Sequence, residues 1–362
     1  MGAVRRLSNG SYQARYRDPS GKQRGKSFRR KADALRFLAE VETDKGRGQW
    51  IDPRHSATLF GEWAEQWMGA RLHLRASSRN RDETYLRLHV LPAFERQAIG
   101  RIQPTDVQRW VVELAGKGLA PRTVRECYRI LNSALTAAAT SRLIADTPCR
   151  GISLPRVEHD EQRFLSAEEV ERLAQSTNLH YAPLIYSAVY LGCRWGELAG
   201  LRRDRLNLLR RNVVIAGTLE EVQGKVRYVD ETKTKAGRRT LVLPRFLVDV
   251  LARHLETAPP SEFVFTTLSG GLLHRGAFRK RTWLPAVHRA GLEPLRFHDL
   301  RHTCASLLIA NGAHVKEIQA RLGHSSVTTT LDRYGHLLPN LDEELAQRLD
   351  ETYLSASAAI GH

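Results

Sequence analysis

Residues 148–162 read PCRGISLPRVEHDEQ: two prolines, a glycine and charges of both signs, with no periodicity. Neither a helical stripe nor a strand alternation crosses this stretch. A single core cannot be threaded through it, so the chain must build separate cores on either side. Its 362 residues suffice for two or three domains.

The two sides carry different patterns. Residues 57–147 are helical throughout. Leu59, Trp63, Trp67 and Met68 mark one apolar stripe, and Tyr85, Leu86, Leu88 and Val90 a second that should stop at Pro92. Pro104 opens a third helix with Val107, Trp110, Val111 and Leu114. Pro121 opens a fourth with Leu131, Ala134, Leu135 and Ala138. The aromatic residues read as core, not as a stacking platform. After the break, FLSAEEVERLA restarts with Ser166 and Glu169 at capping-box spacing. From there to about residue 345 helices mix with the strand-like runs NVVIAG, KVRYVD and RRTLVLP.

The first fifty residues form a third pattern. SYQARYR alternates Tyr12, Ala14 and Tyr16 against Gln13, Arg15 and Arg17, DPSGK supplies a turn, and QRGKSF returns. KADALRFLAEVET follows at helical spacing, with Ala34, Leu35, Leu38 and Ala39, and GRGQWIDPRHS reads as linker. The expected fold is multidomain and mainly α with small β-sheets. It comprises an N-terminal ββ(β)α unit at 1–52, an all-α unit at 57–147, a linker at 148–163, an α+β domain at 164–345 and a tail at 346–362. The leucines 341, 345 and 349 mark one side of a last helix, and SASAAIGH at the end reads as disordered.

Charge narrows the function. The chain carries 56 Lys and Arg against 39 Asp and Glu, a net +17. The first fifty residues alone hold thirteen basic against five acidic side chains. Such a field attracts polyanions, and nucleic acid is the first partner to consider. Arg15 and Arg17 on the first hairpin, Arg75, Arg79, Arg81 and Arg87 around the second helix, and Lys235 are candidate DNA contacts; a solvated basic face is the plainer alternative. The start MGAVRRLSNG lacks the apolar run of a signal peptide, and APLIYSAVYLGC is too short to span a bilayer. A cytoplasmic protein, nucleoid-associated when on DNA, is expected. The four cysteines form no C-x-x-C pair and read as reduced, buried thiols.

The chemistry gathers in the last two hundred residues. RFHDLRHTCASLLIA puts His298, Arg301, His302 and Ala305 on one helical face, with Leu300, Cys304, Leu307 and Leu308 on the neighbouring one. Asp299 stands three residues before His302, close enough in sequence for the two to pair. VKEIQARLGH closes on Gly323 and presents His324. SSVTTTLDRY opens another helix, capped by Ser325 or Ser326, and ends at Tyr334 among polar sequence neighbours. Upstream, LGCRWGEL holds Arg194 between Gly192 and Gly196. VRYVDETKTKAGRRTLVLP reads as one hairpin with Lys233 and Lys235 near its turn. Lysine is scarce here, ten residues against 46 arginines, and unlike arginine it can give up its proton.

The motifs GCRWGEL, TKTKAGRRT, FHDLRHT and LGHSSVTTTLDRYGH, in this order, resemble the tyrosine recombinase (phage integrase) family. The helical stretch 57–147 is similar to that family's core-site DNA-binding domain, and the basic N-terminal unit to its arm-type domain. The resemblance implies Tyr334 as nucleophile, Arg194 and Arg301 as phosphate clamp, and His298 as acceptor of the tyrosine proton. It further implies His324 on a phosphate oxygen and Lys233, ahead of Lys235, as general acid to the leaving 5′ oxygen. The product would be a 3′-phosphotyrosyl enzyme that religates DNA through a Holliday junction. Double-stranded DNA at core and arm sites and a homotetramer are the implied partners, and a DNA-bending or excisionase accessory protein is compatible with them. No cofactor or metal is expected: there is no Walker loop and no acidic metal-ligand spacing, and Arg301 and Arg333 stand among the histidines. Two other readings keep the DNA: a non-catalytic regulatory binder, and a type IB-like topoisomerase that uses the same chemistry without site choice.

Overall fold

The computed structural model describes residues 2–46, 50–72, 74–157, 163–230, 237–337 and 341–360. The described residues up to 157 form one compact unit and those from 163 a second.

The first unit begins with three antiparallel strands, β1 (Ala3–Arg6), β2 (Tyr12–Arg17) and β3 (Gln23–Phe28), in that spatial order. The alternation in β2 buries Ala14 and Tyr16 and leaves Arg17 at the surface. The helix α1 (Lys31–Gly46) covers this face with Ala34, Leu38 and Val41. Leu35 points elsewhere, 51% exposed, because one residue past Ala34 is a rotation of about 100° off the stripe. Trp50, in the stretch expected to be linker, seats its ring edge-on to Tyr16 at 6.5 Å. Arg24 ties Asp18 to Asp52.

Six helices follow: α2 (Pro53–Ser56), α3 (Phe60–Ala70), α4 (Ala76–Tyr85), α5 (Leu91–Phe94), α6 (Pro104–Gly116) and α7 (Pro121–Thr140). Pro92 does not end the second stripe. The helix continues from α4 through a widened turn at Leu86–Val90, where the Leu91 N–H donates to the Leu86 carbonyl. That turn accommodates Pro92, which has no N–H to give and whose ring would crowd the carbonyl four residues back. Phe60, Trp63, Phe94, Trp110, Leu131 and Leu135 meet in the core, and the indole N–H of Trp63 donates to the Ala134 carbonyl at 2.8 Å. Asp82 is buried and accepts from Arg71 at 3.0 Å and Arg129 at 2.8 Å. Part of the expected linker is anchored here: Ile152 and Leu154 pack on this core, and the Gln108 amide and the Ser153 backbone exchange two hydrogen bonds.

The second unit runs α8 (Ala167–Gln175), α9 (Ala182–Leu191), α10 (Trp195–Ala199), β4 (Leu206–Asn207), β5 (Asn212–Ile215), β6 (Thr218–Val222), β7 (Lys225–Val229) and β8 (Arg239–Val242). It continues with α11 (Arg245–Thr257), α12 (Arg275–Phe278), α13 (Leu284–Arg289), α14 (Asp299–Ala310), α15 (Val315–Leu322), α16 (Val327–Tyr334) and α17 (Leu341–Ile360). The expected hairpin between VRYVD and RRTLV is not formed. β7 pairs with β6, and β8 pairs with β5 in the sheet β4-β5-β8. Gln223 and Gly224, at φ 51° and 75°, make the two-residue turn that locks β6 to β7, so β7 already has its partner. The apolar face of α9 packs between α8, α11 and α14. The C-terminal SASAAI, expected to be disordered, continues α17, with Leu349, Tyr353 and Leu354 exposed. Among the described residues no helix is long and apolar enough to cross a membrane.

Candidate active site

Three local structures converge. The first is the turn from α9 into α10. Gly192 takes the left-handed conformation at φ 63° that ends α9, a conformation a side chain would strain. Arg194 then stands at the N-cap of α10. Glu197, three residues on and buried, receives both the Arg194 backbone N–H at 3.0 Å and its guanidinium at 2.7 Å. The second oxygen of Glu197 also accepts from Arg239 of β8 at 3.0 Å. Arg239 further reaches the Arg321 carbonyl at 2.7 Å and the Gly237 carbonyl at 2.9 Å. Burial would raise the Glu197 pKa, but Arg239 and Arg194 outweigh it and hold the carboxyl below its usual range.

The second is the start of α14. Arg301 is 2% exposed, one of the largest fully buried side chains of the protein. Its Nη1 donates to the Gly192 carbonyl at 2.5 Å, and its Nη2 has no hydrogen-bond partner among the described residues. A buried donor left unmatched costs about 1–3 kcal/mol. Burial and the nearby Arg194 push the Arg301 pKa down to about 10, still a cation at neutral pH. Asp299 does not pair with His302. It accepts the Arg296 backbone N–H at 2.7 Å and the Arg296 guanidinium at 3.0 Å, an N-terminal clasp formed inside the same turn. His298 is the N-cap residue and is exposed as a whole, although protein packs around its ring. Surrounding protein, then His302 and Arg301, set its pKa below the ordinary histidine value.

The third is the pair α15 and α16. Gly323 ends α15 at φ 68°, and Ser326 caps α16 by accepting the Thr328 N–H at 3.1 Å. His324 lies between them, buried, with Nδ1 on the Thr330 hydroxyl at 2.9 Å. Its ring stacks nearly parallel to Tyr334, 11° between planes. Burial, then Arg301 and Arg194, push its pKa to about 3. Tyr334 closes α16 at 1% exposure, in an apolar cluster with Cys304, Ile318 and Leu322. Its polar sequence neighbours therefore misdescribe its surroundings. Burial drives the Tyr334 pKa up to about 12 against the pull of Arg301 and Arg333. Its hydroxyl meets Nδ1 of His302 at 2.8 Å.

Of the residues the sequence singled out, Arg194, His298, Arg301, His324 and Tyr334 thus gather around one another. Lys233 and Lys235 lie outside the described residues. Away from this cluster, Arg15 bonds the Gln13 side chain and Arg17 the Gly21 carbonyl. Arg79 pairs with Glu83 at 2.7 Å and Arg81 with Asp82 at 3.3 Å, while Arg87 is exposed. Arg75 occupies the N-cap position of α4. Sequence reasoning assigned His302 no role in the chemistry and left out Glu197 and Arg239. The first two were visible as spacings, His302 four residues after His298 and Glu197 three after the N-cap Arg194. Arg239 was not, since its partners lie 42 and 82 positions away.

All four cysteines are free and buried. Among the described residues no group of His, Cys, Asp or Glu could hold a metal ion. The cluster sets two buried carboxylates, Glu197 and Asp299, among several guanidiniums and neutral imidazoles, with a buried phenol. Such a site accommodates an anion and offers it a nucleophile.

Comparison with known proteins places this arrangement. Residues 163–340 match the phage integrase family, residues 1–47 a phage integrase N-terminal domain, and residues 59–115 a phage integrase N-terminal SAM-like domain. The putative prophage phiRv2 integrase of Mycobacterium tuberculosis is 30% identical over 371 residues, covering 97% of this chain and 95% of that protein. The integrase of Mycobacterium phage D29 is 26% identical over 97% of this chain and 96% of its own length. In fold the chain is similar to the Tn1549 transposon integrase in complex with a circular intermediate DNA, with TM-score 0.70 and 19% identity over 80% of this chain and 99% of that one. It is likewise similar to a lambda integrase tetramer bound to a Holliday junction, with TM-score 0.62 and 16% identity over 90% and 96% of the two chains. A left-handed turn, a buried arginine beside a half-buried one and a helix-terminal tyrosine set on this fold, with a near-full-length integrase relative, lead to one conclusion: the chain belongs to the phage integrase family of tyrosine recombinases and is a site-specific DNA recombinase.

Proposed function

We propose that this recombinase cuts and rejoins double-stranded DNA through Tyr334, which attacks the scissile phosphate and becomes its 3′-phosphate ester. The observation that carries the reading is the Tyr334 hydroxyl, buried and hydrogen-bonded in the same cluster as Arg301, whose Nη2 is left unmatched. A non-bridging phosphate oxygen is the natural acceptor for that donor. Arg194, held by Glu197, supplies the second guanidinium, and together they offset the charge that grows on the phosphate in the transition state. His324 steadies the phosphate, and the exposed His298 meets it from the solvent side. Lys233, with Lys235 as the second choice, protonates the leaving 5′ oxygen. That assignment rests on the TKTKAGRRT motif. The tyrosyl ester retains the energy of the broken bond, so rejoining to another strand needs no external energy source.

On this reading four copies exchange strands at paired core sites through a Holliday junction, and the basic N-terminal unit engages separate arm sites. The phage integrase N-terminal domain matched by residues 1–47 favours integration of a mobile element over simple DNA relaxation. The exposed Leu349, Tyr353 and Leu354 of α17 fit docking on a neighbouring protomer, and an accessory DNA-bending or excisionase protein would set direction. The test is cleavage of a core-site DNA whose 5′-bridging oxygen is sulfur. A thiolate leaves without a proton, so this substrate should trap a covalent protein–DNA adduct and restore cleavage by Lys233→Ala. Absence of any adduct with the wild type would overturn the reading, and rescue of Lys235→Ala alone would reassign the acid.

A further inference from the structure

We propose that His302 is the group that takes the proton from the Tyr334 hydroxyl as it attacks, and that His298 acts on the phosphate side. The inference rests on Tyr334 being the nucleophile. It goes beyond the family resemblance, which gives the proton to His298.

The geometry distinguishes the two histidines. They sit four residues apart, one helical turn, on the same face of α14. One turn is enough to separate their surroundings. His302 is 5% exposed and its Nδ1 lies 2.8 Å from the Tyr334 oxygen, itself on a residue 1% exposed. That is the distance a general base must keep from the proton it abstracts. His298 is exposed, makes no hydrogen bond to Tyr334 among the described residues, and stands edge-on to His302 with ring centres 5.0 Å apart. Its exposure suits a ligand arriving from outside, such as a phosphate.

Both histidines are neutral in the resting site, the pKa of each lowered to about 4 chiefly by burial, so it is position that separates them. For His302, burial acts against the opposing charge of Asp299 and with the help of Arg333 and Arg296, and the neutral ring carries a lone pair. For Nδ1 to accept, the ring proton must be on Nε2. Tyr334, at about 12, holds its own proton in the resting site. Transfer therefore accompanies attack and does not precede it. The O–H proton moves to Nδ1 while the oxygen lone pair forms the bond to phosphorus. The bond from phosphorus to the 5′ oxygen breaks, and that oxygen leaves with a proton from the lysine. The anionic phosphate brought to Arg301 stabilises the imidazolium so formed. In religation each proton returns: the 5′ hydroxyl attacks, the lysine recovers its proton, and His302 gives its own back to the departing tyrosine oxygen.

The experiment uses full-length protein and a nicked core-site DNA, with DNA binding measured beside single-turnover cleavage. His302→Asn is the central variant, because its amide can occupy the Nδ1 position and keep the contact to Tyr334 without being able to take a proton. His302→Ala and His298→Ala accompany it. His302→Asn and His302→Ala should bind DNA and cleave about 10²–10⁴-fold more slowly. Incorporating a ring-trifluorinated tyrosine at 334, a phenol that ionises near neutral pH, should restore most of the rate in the His302 variants and not in His298→Ala. Wild-type cleavage by His302→Asn would reduce His302 to a contact and overturn the proposal. So would fluorotyrosine rescue confined to His298→Ala. Either result leaves the wild-type adduct intact, whereas failure of the nucleophile assignment would show as no Tyr334-dependent adduct in any protein.

Discussion

Arg301 has one amino group committed to the Gly192 carbonyl and the other unmatched in a buried site. Arg301→Lys keeps the charge but cannot reproduce a planar fork that holds the backbone with one arm and a phosphate oxygen with the other. Cleavage should fall about 10²–10³-fold in single-turnover assays, while DNA affinity, set by many contacts, changes far less. A variant that cleaved like the wild type would remove Arg301 from the clamp. The histidines make a second prediction. His302 and His324 are neutral when folded, with pKa values near 4 and 3 against 6.5 for an ordinary histidine. The unfolded chain therefore binds protons that the folded one refuses, and stability must decline as pH falls from about 6.5 toward 4. Glu197, held below its usual range, adds to the loss only further into the carboxylate range, as pH falls through its lowered value. Urea unfolding at pH 7 and pH 5 should show the decline, and His324→Asn should lessen it. Equal loss in both proteins would place the acid sensitivity elsewhere.

At the scale of elements, the turn between α9 and α10 joins the two arginines. Its Gly192 carbonyl holds Arg301, and its next turn holds Arg194. A Cβ on Gly192 would stand 2.5 Å from a Leu322 methyl and 2.9 Å from the Cys304 sulfur. Gly192→Ala adds a left-handed backbone cost of about 1–2 kcal/mol to that clash. The variant should lose stability by at least this amount in chemical denaturation, and cleavage more than stability accounts for, since the carbonyl under Arg301 shifts. Unchanged cleavage would mean that the turn does not set the clamp. This element was legible in the sequence, because two glycines bracketing an arginine announce a tight turn. The Ser326 cap, the Gly323 terminus and the prolines opening α6 and α7 were legible for the same reason: each is local chemistry. What was not legible depends on distant partners. The strand β7 looked free to pair forward with β8, and only the Gln223–Gly224 turn, which carries no strong signature in a run of polar residues, shows why it pairs back with β6. Tyr334 looked polar because its sequence neighbours are, whereas its packing neighbours come from α14 and α15.

For the molecule as a whole, the excess of positive charge and its concentration in the first fifty residues imply a DNA affinity that depends steeply on salt. Deleting residues 1–55 should leave cleavage of an isolated core site intact, flatten the dependence of log affinity on log salt, and abolish recombination that needs arm sites. Undiminished integration by the truncated protein would deny the N-terminal sheet its role. Catalysis, however, turns on one phenol. The most direct measurement is digestion of the trapped protein–DNA adduct and identification of the modified peptide by mass spectrometry. The nucleotide should be found on Tyr334, with no adduct from Tyr334→Phe. A nucleotide carried by any other residue, such as the exposed Tyr353 of α17, or an adduct surviving Tyr334→Phe, would contradict this assignment.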